Sequence, residues 1–315
     1  MDLNEARTVL SGAMISVATP VTADFEIDYD AYRRNLETMI ARGANAENAT
    51  FLVAAAGGEF PMLSTAQRKE LMKASVDIVA GRVPIAASIQ SNSTREAIEL
   101  ASWGREVGVA VGQLSSPYYY TPTPPDIERF FADVAAGGGL PIMVYNNWWN
   151  TLNMNLDTAE RLAGIEGVVA LKWSAPSRTQ YLEGYERLGD RLAIVDNELQ
   201  HVMAALMGAT GFITHVSNFW PEYPIRLWEL MKAHDFEALR DALAFKWSWR
   251  RWVERVTRYT EGEGPFIKAA MDEVGLPSGD PIPPSLPVPE ELRAELRELL
   301  ARFHVPAASE AVAAG

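Results

Sequence analysis

The stretch "GVVALKWSAP" (residues 167–176) decides how this chain folds. Val168, Val169, Ala170 and Leu171 form an unbroken apolar run, the pattern of a strand covered on both faces, and such strands belong to parallel sheets flanked by helices. The run then passes straight into Lys172. An ammonium there must either reach water along its own methylene stem or do chemistry that justifies its desolvation.

Similar runs recur on both sides of it. "AMISVATP" (13–20), "ATFLVAAA" (49–56), "VPIAASIQ" (83–90), "VAVGQLSSP" (109–117) and "LPIMVYNN" (140–147) precede "VVALKWS" (168–174), while "RLAIVDN" (191–197) and "GFITHVS" (211–217) follow it. Amphipathic stretches lie between them, such as "STAQRKELMKASVDIVAG" (64–81) and "STREAIELASWGREVG" (93–108), each opening on Ser or Thr and closing at Gly. The hydroxyl caps free backbone N–H groups, and Gly relieves the left-handed turn that ends a helix. Strands alternating with helices at this spacing pair in parallel through right-handed crossovers, and eight such units close a ring. The expected fold is therefore α/β, a (β/α)8 TIM barrel with a C-terminal helical extension. The extension is read from "EYPIRLWELMKAHDFEALRDALAFKWSWRRWVERV" (222–256), "GPFIKAAMDEVG" (264–275) and "PEELRAELRELLARF" (289–303), with the Pro-rich "LPSGDPIPPSLPVP" (276–289) as an ordered connector. This divides the chain into a barrel over 1–230, an extension over 231–304 and a disordered tail over 305–315.

Composition narrows the function. The 315 residues are 48% hydrophobic and 22% charged, enough for a large core, and the net charge of −13 repels nucleic acid and anionic membranes. With no cysteine, disulfides and thiolate metal sites are excluded, which fits a reducing cytoplasm. No run of some 18 apolar residues and no leader-like segment occur, so a soluble cytoplasmic protein with no membrane partner is expected. The four histidines show no ligand spacing, and no metal site is expected. The nucleophile elbow G-x-S-x-G, the P-loop and a dinucleotide-type G-x-G-x-x-G following a strand are all absent.

In such a barrel the chemistry sits at the carboxyl ends of the strands. There the sequence places Thr19, "AAAGGEF" (54–60), Gln90, "SSPYYY" (115–120), "YNNWWN" (145–150), Lys172, "DNE" (196–198) and "THVSNFW" (214–220). Apolar neighbours and Trp173 surround Lys172 with low dielectric, which depresses an amine's pKa and leaves a nucleophile able to form a Schiff base with a carbonyl. Tyr145 is by itself an ordinary buried phenol, but beside an iminium-forming lysine it can shuttle protons. The small residues Ala56, Gly57 and Gly58 offer backbone N–H groups to a carboxylate, or simply make a tight turn. Asn146, Asn147 and Asn197 are placed to bind hydroxyls. Trp148, Trp149, Trp173 and Trp220 either pack the barrel top or wall the pocket against an apolar, aromatic or sugar-like substrate. His215, also at a strand end, is expected to be a satisfied structural histidine, with a pocket hydrogen-bonder as the alternative.

The ordered set of Thr19–Pro20, Gly58–Glu59, "PYY" after the fourth strand, Tyr145–Asn146 and Lys172 resembles the dihydrodipicolinate synthase and N-acetylneuraminate lyase family of class I aldolases, over nearly the whole chain. The resemblance implies that Lys172 is the Schiff-base lysine and Tyr145 the catalytic tyrosine. It further implies that Tyr119 is donated into a neighbouring subunit's site, that Ile213 lies near the substrate, and that the protein is a homotetramer built as a dimer of dimers. It also implies a 2-oxo acid of the pyruvate type as substrate, bound covalently with no metal or organic cofactor. Paired threonines common before "GE" are here Ala56 and Gly57. The arginine that follows "YN" in dihydrodipicolinate synthases is absent from "NNWWNT" (146–151), where Asn150 stands nearest, so lysine biosynthesis is not expected. The leading expectation is a lyase that makes or breaks a C–C bond of a 2-oxo acid, with an apolar or aromatic aldehyde as the other fragment. A dehydratase of 2-oxo-3-deoxy sugar acids using the same imine, and a catalytically silent ligand-binding homologue, are the alternatives.

Overall fold

A computed structural model of the protein describes residues 1–197 and 200–308. Eight parallel strands close into one barrel in sequence order: β1 (Gly12–Ser16), β2 (Ala49–Val53), β3 (Ile85–Ser88), β4 (Val111–Ser115), β5 (Ile142–Tyr145), β6 (Val168–Trp173), β7 (Ala193–Asp196) and β8 (Gly211–Thr214), with β8 pairing back to β1. Seven fall within the apolar runs identified from the sequence, and β1 starts one residue before its run, at Gly12. Side chains alternate across each strand, so one parity fills the barrel and the other meets the helices. Met14, Leu52, Ala86, Val111, Met143, Ala170, Val195 and Ile213 make the inner core. Ile15, Phe51, Ile85, Leu114, Val144, Leu171, Ile194 and Phe212 belong to the outer layer. The register admits little variation. Gly12 has φ +93, and a Cβ there would lie 2.1 Å from the carbonyl oxygen of Asn48, so the first strand starts at a position only glycine fills.

A helix that the sequence reading left unassigned, α1 (Leu3–Val9), is capped by Asp2 in a reciprocal box with Glu5. Its Ala6 and the following Leu10 join the inner core and close the floor of the barrel. The outer ring runs through α2 (Tyr29–Ala41), α3 (Thr65–Val79), α4 (Thr94–Val107), α5 (Pro124–Gly138), α6 (Leu156–Leu162), α7 (Arg178–Leu188), α8 (His201–Leu206) and α9 (Glu222–Ala233). Ser64 and Ser93 cap α3 and α4 as expected. Gly108 takes φ +98 after α4, whereas α3 ends one residue early, on Ala80 at φ 49.

The helices beyond are α10 (Phe236–Val256), α11 (Gly264–Glu273) and α12 (Glu290–Arg302). The division expected at 230/231 falls inside α9, and we propose the turn at His234–Asp235 instead. Of the tail expected over 305–315, residues from 309 on lie outside the described ones, while Val305 and Ala308 donate backbone N–H groups to Leu300 and Val274. Among the described residues no helix is long and apolar enough to cross a membrane.

Candidate active site

Strand parity builds the site. Lys172 stands one inward step above Ala170, Tyr145 above Met143, Gln113 above Val111 and Ser16 above Met14, so four functional side chains surmount the inner core at one level. The register pairs Tyr145 with Lys172 and Ser115 with Tyr145. Lys172 is 5% exposed. Its Nζ lies 4.0 Å from the centre of the Tyr145 ring and donates to Gln113 Oε1 at 3.0 Å. Gln113 Nε2 in turn donates to Gln90 Oε1 at 2.9 Å, and Gln90 Nε2 to Ser115 Oγ at 2.9 Å, which fixes the amide of Gln113 with its oxygen toward the lysine. Burial lowers the Lys172 amine to about 8, against the carboxylate of Glu263, which pulls it up. A useful fraction is therefore unprotonated near neutrality, as attack on a carbonyl requires.

The cavity in front of Nζ has a volume of about 360 Å³ and is lined by Ser16, Ala56, Gln113, Tyr145, Lys172, Asn197 and Ile213 from the strands and their loops, and by Trp148, Trp149, His215, Arg250 and Glu263 from above. A second, of about 480 Å³, shares Ala56, Tyr145, Trp149 and Glu263 with it and extends toward Phe60, Met62, Tyr118, Asn150 and Phe266. The extension supplies much of this roof, since Arg250 belongs to α10 and Glu263 immediately precedes α11. Glu59, at φ 57, anchors it. Its carboxylate forms an ion pair with Lys268 of α11 at 2.6 Å and accepts the Ile282 N–H at 2.7 Å. Burial raises the Glu59 carboxyl while Lys268 opposes the rise. Among the described residues no group of three or more His, Asp or Glu side chains is arranged to hold a metal ion.

Several expected site residues are placed elsewhere. Trp173 must face outward because Lys172 faces inward. It is wholly buried against α7, where its indole N–H donates to the carbonyl of Tyr181 at 2.9 Å, and it cannot contact substrate. Asn146, next to inward Tyr145, is likewise turned out, with its amide spent on the carbonyl of Ser174 and the N–H of Met154. Gly57 and Gly58 do not present a free pair of donors. The turn over Ala56–Gly58 is a 3-10 helix in which the Gly58 N–H binds Ala55 O, and the Gly57 N–H binds Ser16 Oγ, both at 3.0 Å. Tyr119 is 79% exposed and lines neither cavity of its own chain. Trp220 stacks on Tyr223 and meets Phe245 edge to face instead of entering the pocket. Glu198 lies outside the described residues. Ala56, Asn150, Asn197 and Ile213 do line the cavities, and the side-chain amide nitrogen of Asn197 is buried without a partner among the described residues.

His215 lines the cavity and has a partner there, its Nε2 lying 2.9 Å from Glu263 Oε2. Gln113, Arg250 and Glu263 were not singled out from the sequence. A glutamine at an inward position of an apolar strand was a readable signal for the first. The other two lie on or beside helices far along the chain, and nothing local marks them.

Comparison with known proteins places the chain in a family. A sequence profile described as the dihydrodipicolinate synthetase family matches residues 9–303. The 4-hydroxy-tetrahydrodipicolinate synthase of Syntrophobacter fumaroxidans is 32% identical over 234 residues, 74% of this chain and 79% of that protein, and the one from Polynucleobacter asymbioticus is 27% identical over 301 residues, 94% of this chain and 95% of that protein. Among solved structures, dihydrodipicolinate synthase from Aquifex aeolicus superposes with a TM-score of 0.85 at 26% identity, covering 95% of this chain and 99% of that one. The enzyme from Acinetobacter baumannii, solved with pyruvate, superposes with a TM-score of 0.84 at 25% identity, covering 94% and 99%. Enzymes of this family hold pyruvate as a Schiff base on a lysine and need no metal or organic cofactor. The chain belongs to the dihydrodipicolinate synthetase family and is a lyase of the class I aldolase type.

Proposed function

We propose that the protein binds a pyruvate-type 2-oxo acid as an imine on Lys172 and makes or breaks the bond between its C3 and an aldehyde with an apolar or aromatic body. The observation that carries this reading is a buried lysine, its amine lowered to about 8, set against the ring of Tyr145 on the adjacent strand. The neutral amine attacks C2 of the 2-oxo acid. Tyr145 delivers the proton with which the C2 oxygen leaves as water; the phenolate so formed takes a proton from C3, and the C3–H pair moves into the iminium to give an enamine. The Ser16 hydroxyl, which accepts the Gly57 N–H, lines the cavity where the acid's carboxylate would lie. The amide of Asn197 offers a donor to a substrate oxygen.

The partner fragment meets Trp148 and Trp149, whose rings stand edge to face with centres 5.5 Å apart, and beyond them Phe60, Met62 and Phe266. Such a wall favours a flat apolar body over a short charged one. This, with "NNWWNT" in place of an arginine-bearing loop, supports a partner different from that of the relatives named 4-hydroxy-tetrahydrodipicolinate synthase. In a homotetramer built as a dimer of dimers, exposed Tyr119 would reach a neighbouring subunit's site. With no cysteine, the protein suits a reducing cytoplasm.

Incubation with pyruvate and borohydride is expected to leave a reduced pyruvate adduct on the peptide carrying Lys172, and Lys172→Ala to abolish both adduct and turnover. An unmodified Lys172 in active protein would refute the reading. Aromatic, polyhydroxylated and carboxylate-bearing aldehydes offered with pyruvate then rank the partner. Preference for the carboxylate-bearing one overturns the partner assignment, and conversion of 2-oxo-3-deoxy sugar acids to an unsaturated or semialdehyde product without release of an aldehyde fragment identifies a dehydratase.

A further inference from the structure

Above the barrel mouth, the fold brings a histidine and a carboxylate together at a place where the imine chemistry of Lys172 and Tyr145 does not require them. His215 directly follows β8, and the short turn after it is held firmly. The side-chain amide of Asn218 donates to the carbonyl oxygens of His215 and Ser16, both at 2.9 Å, and accepts the Ala18 N–H at 2.9 Å. Glu263 arrives from the other side, at the head of α11, and its Oε2 lies 2.9 Å from His215 Nε2. The ring of Phe266 sits edge-on to the imidazole at 5.5 Å. Both polar groups line the cavity that holds Lys172 Nζ.

We propose that His215, oriented by Glu263, is the acid–base group for the oxygen of the aldehyde fragment, separate from the Tyr145 phenol that serves the imine. The inference rests on the Lys172 imine reading. In the cleavage direction, neutral His215 takes the proton of the C4 hydroxyl. The O–H electron pair forms the aldehyde carbonyl, the C3–C4 bond breaks, and its electrons pass through C3 into the iminium to give the enamine. In the synthetic direction, the enamine C3 attacks the aldehyde carbon, the carbonyl π pair moves to oxygen, and the His215 imidazolium supplies the proton. Glu263 stabilises that imidazolium and fixes the ring, the role a carboxylate plays wherever it holds a catalytic histidine. Although burial raises the Glu263 carboxyl, His215 and Lys172 together bring it below the ordinary value, so it is ionised at neutral pH.

The charged and titratable groups lining the cavity around His215 are Glu263 from the head of α11, Arg250 from α10, Lys172 from β6 and Tyr145 from β5. Arg250 is itself paired with Glu254 at 3.1 Å.

The test compares two reactions of one protein: exchange of the C3 protons of pyruvate in D2O, which needs only the imine and enamine, and full C–C turnover with the best aldehyde from the panel. In His215→Asn the ratio of C–C turnover to C3 exchange is expected to fall roughly 10²- to 10⁴-fold, the usual worth of a positioned acid–base group, and the pH profile of turnover to lose one of its limbs. Glu263→Gln is expected to lower the same ratio less and to move the limb instead of removing it. C3 exchange also reports that each variant is folded. If the ratio stays within about threefold of wild type in both variants, or if exchange and turnover fall together, the assignment is overturned. Failure of the imine reading itself would appear differently, as wild-type protein that neither exchanges C3 protons nor is trapped by borohydride.

Discussion

Lys172→Met tests the state of the lysine without any substrate. The amine drops from 10.5 to about 8 on folding, so below pH 8 the folded chain holds a buried ammonium that the unfolded chain solvates freely. At 1.36 kcal/mol per pH unit, this costs the native state about 3 kcal/mol at pH 7. The direction follows from the depressed folded value. The cost is complete below pH 8, shrinks between pH 8 and 10.5 as the folded protein becomes neutral at this position, and vanishes above that. Methionine keeps the length and packing of the side chain but leaves Gln113 Oε1 without its donor, a penalty of about 1–3 kcal/mol that does not depend on pH. The single difference in stability is therefore ambiguous, while the double difference is not. Relative to wild type, the variant should be about 2–3 kcal/mol better off at pH 7 than at pH 10. Urea unfolding of both proteins at fixed protomer concentration, followed through the nine tryptophans, measures it. A variant displaced equally at the two pH values would show that Lys172 is not a depressed amine.

Three further outcomes are expected. Gln113→Leu removes the acceptor from the ammonium and deepens its burial, so the midpoint of pyruvate trapping against pH should move below 8; a midpoint that stays or rises would contradict the hydrogen bond's role. Glu59→Gln leaves Lys268 buried and without its counter-ion, and should cost about 3–5 kcal/mol in chemical denaturation, whereas a loss below about 1 kcal/mol would show the clamp to be dispensable. In Gly184→Ala the new Cβ would lie 2.4 Å from Trp173 Nε1, so the variant should lose about 1–3 kcal/mol and drag down the turnover of the adjacent lysine, and unchanged thermal unfolding would mean that Trp173 is not locked against α7.

The strand ends were legible in the sequence, and with them Lys172, Tyr145, Ala56, Asn150, Asn197 and Ile213 at or beside the cavity. Apolar runs bounded by capped helices repeat eight times, and the barrel that eight such units form carries its chemistry at one end. Strand parity was equally present in the letters, and it turns Trp173 and Asn146 away from the barrel interior. Once one residue of a strand points inward, its neighbours must point out.

Only the tertiary structure could decide the rest. His215 gains its carboxylate partner because Glu263, 48 positions away, folds back beside it. The N–H groups of Gly57 and Gly58 look available in sequence but are engaged by Ser16 and Ala55 in the folded turn. Local pattern is enforced by backbone geometry over a few residues, so it can be read from the chain. Which side chains from distant segments share one cavity is set by how the helices of the extension pack over the barrel, and no short-range rule encodes it.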